Sequence, residues 1–393
     1  MTAYTISAME PMMPGERLST DSLQESAIQL IAQSEKLKTK FHPLVQEAIG
    51  DVVRSMNCYY SNFIEGHNTH PVDIERALKK DFSTDLQKRN LQLEAKAHIE
   101  LQQKIDRDEC TIEITSLEYF LWLHREFCSQ LPDEMLIIPN TETKTGKKVE
   151  PGIFRDGNVI IGGHIPIEPN LIPIFMKRFQ ECYTINKLNR IQQIIAVAAS
   201  HHRFLWIHPF YDGNGRVARL FSHAFLKKIG IGSSLWSVSR GLARNHIRYK
   251  HLLMEADLPR QGDLDGRGAL SQKGLDNFCV FFLNCCLDQI EFMEKLLTPE
   301  NVLQRMERWT QQQIESSLLP RGAFALLKEA FIRGEFERGQ APYLTHYKER
   351  QARTVLNALT QKGLLASATP KGPVRLVFPS VILEDWFPKL FLG

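Results

Sequence analysis

The chain has 393 residues, 43% of them hydrophobic, and a formal net charge of +3, enough apolar material for a large core and more than one domain. A charge this close to neutral gives no overall preference for nucleic acid or a membrane surface, and no apolar run approaches the roughly 18 residues that cross a bilayer. The seven cysteines are scattered and lack a CxxC pair, which argues against a disulfide framework and against a cysteine zinc site.

Met1 to about Ser19 contains several Met and Pro residues and is expected to be mobile. Its first residues, Met1 to Glu16, lack the basic start and apolar stretch of a secretion signal, so a cytoplasmic protein is expected. From Thr20 to about Ile105 charged stretches with helical spacing predict a helical region. Within it Ile49, Val52, Val53, Met56, Tyr60 and Phe63 form one apolar stripe that Gly66 terminates. The run from Pro151 to Gly163 places Asp156-Gly157 between short β-prone stretches, which predicts a hairpin. Ile191, Ile194, Ile195, Ala198 and Leu205 then mark a helix that leads into a loop at Ile207. On that helix His201 and His202 diverge by about 100°, so they read as core histidines rather than a ligand pair.

His208 to Arg219 reads HPFYDGNGRVAR and gathers the chemistry of a phosphate site. Gly213-Asn214-Gly215 permits backbone angles closed to other residues, so successive N–H groups can face one concavity. Val217, Leu220, Phe221, Ala224 and Phe225 follow at i, i+3, i+4, i+7 and i+8, which makes that turn the start of an amphipathic helix, where anions bind. Asp212 is a carboxylate suited to Mg²⁺, which takes one or two carboxylates together with substrate phosphates. Arg216 and Arg219 share a helix face and can fork onto phosphate oxygens. His208 can accept a proton from an attacking hydroxyl. No GxxxxGK(S/T) phosphate loop accompanies the motif, so a P-loop NTPase is not supported.

Downstream, the polar turn Gln261 to Gly268 precedes a helical bridge carrying Phe278, Phe281, Phe282, Cys285 and Leu287. The last segment changes character. Phe324 to Phe331 and Arg350 to Leu359 predict two helices. Lys362 to Leu365, a turn at Thr369 to Pro373, and Val374 to Phe378 predict a hairpin after them, the pattern of a winged helix-turn-helix. Between 318 and 393 eleven Lys or Arg oppose six Asp or Glu, leaving this segment at +5 and the rest of the chain at −2. Lys348, Arg350 and Arg353 would begin the recognition helix and Lys371 and Arg375 would flank the wing, so DNA is a possible partner through 319–393.

The HPFYDGNGRVAR segment resembles the HPFx(D/E)GNGRxxR signature of the Fic family, whose members mostly transfer AMP from ATP to a protein hydroxyl. The resemblance implies that His208 is the general base, that Asp212 holds Mg²⁺, and that Gly213, Asn214 and Gly215 cradle the α and β phosphates. It further implies that Arg216 contacts the phosphates and Arg219 the γ-phosphate. Ser61 to Gly66 is similar to the (S/T)xxxE(G/N) element of a Fic autoinhibitory helix, which implies that Glu65 pairs with Arg219 and blocks the γ-phosphate. Residues 151–163 resemble the family's flap, which aligns a target segment by adding a strand. Ser239-Arg240 and Arg244 to Tyr249 resemble the lining of its nucleoside pocket, with Tyr249 against the base. Lys250 departs from the paired tyrosines common there.

The expected fold is thus mainly α: a Fic-type helical core with a small β-hairpin flap and a C-terminal winged helix-turn-helix. Its expected parts are an N-terminal helical region with the inhibitory helix (1–110), the core (111–257), the helical bridge (258–318) and the winged-helix-like segment (319–393). The expected activity is transfer of AMP from ATP to a Ser, Thr or Tyr hydroxyl of a target protein or of the chain itself, with Mg²⁺, autoinhibition by Glu65 and a homodimer as a further possibility. The alternative is a DNA-binding regulator whose core senses nucleotide.

Overall fold

The computed structural model describes residues 5–15, 20–38, 41–138 and 147–391, and they are mainly helical. Four helices come first: α1 (Thr20–Lys38), α2 (Pro43–Ile64), α3 (Pro71–Leu78) and α4 (Leu86–Asp106). Pro43 supplies the fixed φ that suits a first helical position, and the His42 ring accepts from the Leu44 N–H to cap α2. Gly66, at φ +85°, ends the run beyond Ile64, a conformation with no steric cost for glycine. The stripe from Ile49 to Tyr60 is buried as its spacing requires.

The next block holds α5 (Leu117–Cys128), β1 (Ile137–Ile138), β2 (Lys147–Lys148), α6 (Ile172–Tyr183), α7 (Arg190–Ile207) and α8 (Asn214–Lys228). A capping box starts α7: the Asn189 side chain accepts from Gln192 N–H, and the Gln192 side chain accepts from Asn189 N–H. Then follow α9 (Val238–Arg244), α10 (His246–Asp257), α11 (Gln272–Leu296) and α12 (Pro299–Glu315). The expected bridge is no mere connector, because α11 packs against α1, α7, α9 and α10. Its aromatic stripe, Phe278, Phe281 and Phe282, is buried in that contact.

The C-terminal segment runs α13 (Ala323–Arg333), β3 (Glu335–Phe336), α14 (Ala341–Thr345), α15 (Glu349–Gln361), β4 (Leu365–Ala366), β5 (Val374–Leu376) and α16 (Leu383–Trp386). Its sheet has the antiparallel order β3-β5-β4, with Glu335 opposite Arg375 and Leu365 opposite Leu376. The strand β3 and the short α14 add to the two helices and hairpin expected there. The end of the chain returns to α2, where the Tyr60 hydroxyl donates to the Leu390 carbonyl at 3.1 Å and the Phe391 ring meets Tyr59 edge-on.

Two expectations are corrected. Mobility fails for residues 5–15, since Met9 and Met12 are buried and the Arg203 guanidinium donates to the Pro11 carbonyl at 2.7 and 3.0 Å. The Tyr183 hydroxyl holds the Met12 carbonyl as well, so the segment is part of the core; residues 1–4 and 16–19 lie outside the described ones. The hairpin expected around Asp156-Gly157 is placed elsewhere. The two-stranded ladder pairs Ile137 with Lys148 and Ile138 with Lys147, and the tight turn within 151–163 is Gly162-Gly163, closed by the bridge Ile161 to His164. Arg155 explains the difference, because its backbone N–H donates to the Pro209 carbonyl and its side chain to the Gly157 and Ile167 carbonyls. The first bond ties the segment to the loop after α7, and the other two close the segment on itself instead of pairing it with a second strand.

Candidate active site

The loop between α7 and α8 is held from both sides. His208 closes α7 in the left-handed region (φ 48°, ψ 63°), sparsely used by residues with a Cβ. Its carbonyl accepts from Arg155 Nε at 2.8 Å. Asn214 clamps the loop internally: its Oδ1 accepts from Phe210 N–H at 3.0 Å and its Nδ2 donates to the Phe210 carbonyl at 2.8 Å. Both its polar side-chain atoms thus shape the turn, which leaves backbone N–H groups to face the concavity. Gly213, at φ +81°, caps α8, and the first N–H groups of such a helix have no intrahelical partner.

His124 on α5 supports the same loop. Its Nδ1 accepts from Gly152 N–H at 2.9 Å and its Nε2 donates to the Asp212 carbonyl at 3.2 Å. The ring also stacks on Phe210 with centroids 3.8 Å apart. One imidazole thus ties the segment after β2 to the motif.

Two arginines rise from the first turns of α8, both buried. Arg219 meets α2: its Nε donates to the Ser61 hydroxyl at 2.9 Å, and its terminal nitrogen donates to the Ser61 carbonyl at 3.1 Å and the Glu65 carboxylate at 2.5 Å. That carboxylate lies over Gly215, where an added Cβ would collide with it. Arg216 donates to both Asp212 oxygens at 2.9 and 3.0 Å and to Glu94. Burial alone would push the Glu65 carboxyl up, yet Arg219 and Arg216 outweigh it and hold it below the usual carboxylate range. Burial likewise opposes ionisation of Asp212, and Arg216 with the Gly213 N–H overcomes it. The His208 imidazole goes the other way: burial, then the Arg155 charge, lowers it to about 4. The ring is therefore neutral near pH 7 and has a lone pair for a proton.

Ser61, Glu65, His208, Asp212, Gly213, Gly215, Arg216 and Arg219 are brought together, and Tyr249 reaches Arg219 from the buried side. Its ring is buried among α10, α7 and α11, with the hydroxyl on His201 Nε2 at 2.7 Å. Helix α10 turns Tyr249, Leu252 and Ala256 inward as one stripe. His201 and His202 serve separate partners, Ser222 with Tyr249 and Leu253 with Asp257. Glu94, His124 and Arg155 escape the sequence reading. For Glu94 a signal exists, since Glu94 and His98 occupy the stripe that Leu101 and Ile105 continue.

Asp212 is ionised and half exposed, so it has the charge and the oxygen donors that a divalent cation takes, although Arg216 holds both oxygens here. Among the described residues no group of three or more His, Cys, Asp or Glu is placed to hold a metal alone, so a cation here depends on oxygens brought by a substrate. No helix of the described residues is long and apolar enough to cross a membrane.

Residues 114–226, from just before α5 to near the end of α8, match the model of the Fic/DOC family. Over 82 residues the chain is 38% identical to protein adenylyltransferase Fic of Drosophila mojavensis and 35% identical to that of Drosophila grimshawi. The match spans 21% of this chain and only 16% and 17% of those relatives. The fold resembles a Fic family protein from Desulfovibrio desulfuricans G20, with TM-score 0.51 and 15% identity over 90% of this chain and 96% of that one. It also resembles Fic-1 (residues 134–508) from C. elegans, with TM-score 0.53 and 15% identity over 71% of this chain and 73% of the other. Glu65 and Glu94 both lie upstream of the matched stretch.

Proposed function

We propose that the chain transfers AMP from ATP to a Ser, Thr or Tyr hydroxyl of a protein, and that Glu65 restrains this activity by occupying Arg219. The observation that carries the reading is a neutral His208 and an ionised Asp212 in the loop that leads into α8, with two arginines on the first turns of that helix. In this mechanism the target hydroxyl loses its proton to His208 while its oxygen bonds to the α-phosphorus. The bond from the α-phosphorus to the bridging oxygen breaks, and pyrophosphate leaves. The α8 amides, Arg216 and Arg219 bind the phosphates and oppose the growing negative charge. Asp212 would hold Mg²⁺, which supplies charge neutralisation on the phosphate oxygens. The segment 151–163, strapped to His208 by Arg155, would position the target chain.

Glu65 competes for the same charge. A carboxylate on Arg219 neutralises the guanidinium and fills the space above Gly215 that a terminal phosphate needs. The test is incorporation of α-phosphate label from ATP into protein by wild type, Glu65→Gly and His208→Ala. Label in Glu65→Gly that the added His208→Ala abolishes supports the reading; equal label in all forms refutes it.

A second reading, a DNA-binding regulator, draws on the C-terminal segment. The order α13, β3, α14, α15, β4, β5 is compatible with a winged helix-turn-helix, and α15 turns Ala352, Val355, Leu356 and Leu359 inward while Arg350, Gln351, Arg353 and Asn357 face solvent. These side chains suit phosphate and base-edge contacts in a major groove. Salt-sensitive binding of a labelled duplex, lost in Arg350→Ala/Arg353→Ala, supports it; no retention of duplex at low salt refutes it.

A further inference from the structure

Helix α4 brings one more carboxylate to the site. Glu94 is fully buried, and both its oxygens are engaged: one accepts from Arg216 and the other pairs with Nδ1 of His67 at 2.7 Å. A carboxylate at this depth costs several kcal/mol unless it is paired, so it stays with its partners. Asp212 binds the other end of the Arg216 guanidinium but is half exposed. Arg216 is therefore shared between one carboxylate free to turn toward solvent and one that is not.

His67 lies two residues past Glu65, beyond the turn at Gly66, and its N–H donates to the Asn62 carbonyl at 2.9 Å. Its side chain is about a third exposed. The stretch carrying Glu65 is thus held from two sides, by Arg219 through Glu65 itself and by Glu94 through His67. Arg216 Nε is buried with no partner among the described residues, so this guanidinium keeps a donor in reserve.

We propose that Glu94 is a positioning residue that fixes Arg216 for phosphate binding and, through His67, fastens the closed position of Glu65. The proposal rests on the reading of this site as an ATP-dependent transferase. The charges set out the reason. Three carboxylates, Glu65, Asp212 and Glu94, face two guanidinium groups. Entry of a triphosphate with its cation requires Glu65 to leave Arg219 and Asp212 to turn from Arg216. Glu94 is then the carboxylate that stays, and it keeps Arg216 in place through the exchange. His67, partly exposed and next to a glycine turn, is the part of the catch that moves.

The test uses the full chain as wild type, His67→Ala, Glu65→Gly, Glu65→Gly/His67→Ala and Glu65→Gly/Glu94→Gln, read by label transfer and by amide hydrogen exchange across residues 60–67. His67→Ala alone should raise transfer several-fold and speed exchange at 60–67, whereas the same change added to Glu65→Gly should leave transfer within about twofold. Glu65→Gly/Glu94→Gln should lose roughly 10- to 100-fold in kcat relative to Glu65→Gly, the range that a misplaced binding group costs, with a smaller change in KM for ATP. Equal kcat in the presence and absence of Glu94, or equal exchange at 60–67 with and without His67, overturns the proposal. If Glu65→Gly neither binds nor uses ATP, the transferase reading fails, while the exchange comparison still decides whether the catch exists.

Discussion

The Glu65 carboxylate sits 2.5 Å from the terminal nitrogen of Arg219 and directly above Gly215, on the first turn of α8. A terminal phosphate and this side chain make the same demand on the arginine and on the same space. Glu65→Gly should therefore tighten ATP binding by roughly 10- to 100-fold, since a hydrogen bond between charged partners is worth about 1.5–3 kcal/mol. Titration calorimetry with MgATP checks this; unchanged affinity would place the block elsewhere.

Ser61 gives a graded version of the same effect. Its hydroxyl takes only the Nε of Arg219, so Ser61→Ala removes one bond and leaves the Glu65 pair intact. The expected gain in ATP affinity is about fivefold, from a bond worth roughly 1 kcal/mol, and it should vanish when Glu65→Gly is already present. A full gain from Ser61→Ala alone would show that the carboxylate is not the main restraint.

His208→Ala in a Glu65→Gly background should lower transfer by roughly 10²- to 10⁴-fold, the usual range for a lost general base, with MgATP affinity nearly unchanged because the phosphates are assigned to α8 and its arginines. Because burial and Arg155 hold the imidazole near about 4, transfer should persist at pH 6, where an ordinary histidine is largely protonated. A sharp loss between pH 7 and pH 6 would contradict this environment for the base.

Spacing makes α2, α7 and α8 legible before any coordinates, because each buries one continuous stripe. The 208–219 segment is legible for a different reason: its residues interlock chemically within one turn. The burial of Glu94 is legible from its stripe but its role is not, since that depends on α4 crossing α8 to meet Arg216, 122 residues further along the chain. Arg155 likewise acts on a carbonyl 53 residues away, and no local pattern encodes that distance. The burial of Tyr249 is also set at a distance, by α11 packing on α10.

Acid should unfold the chain through its histidines before its carboxylates. His98 and His201 are lowered to about 3, and His124 and His208 to about 4, burial being the largest cause in each. These rings stay neutral in the fold while the unfolded chain binds protons near 6.5, so stability falls as pH drops below about 6.5. Each group removes up to about 1.4 kcal/mol per pH unit in that window. His67, raised chiefly by its bond to Glu94, acts in the opposite sense but is one group against these four and His202, which burial also lowers. Thermal melts should show Tm declining from pH 6.5 to pH 5, ahead of carboxylate protonation; a flat Tm over that interval would contradict the buried neutral state.

Mass spectrometry of the purified protein incubated with MgATP offers the clearest test of AMP transfer restrained by Glu65. Glu65→Gly should gain an AMP adduct well above wild type, on itself or on an added target, and Glu65→Gly/His208→Ala should gain none. No adduct on any form, with Glu65→Gly folded and supplied with nucleotide and candidate targets, would contradict the transferase assignment.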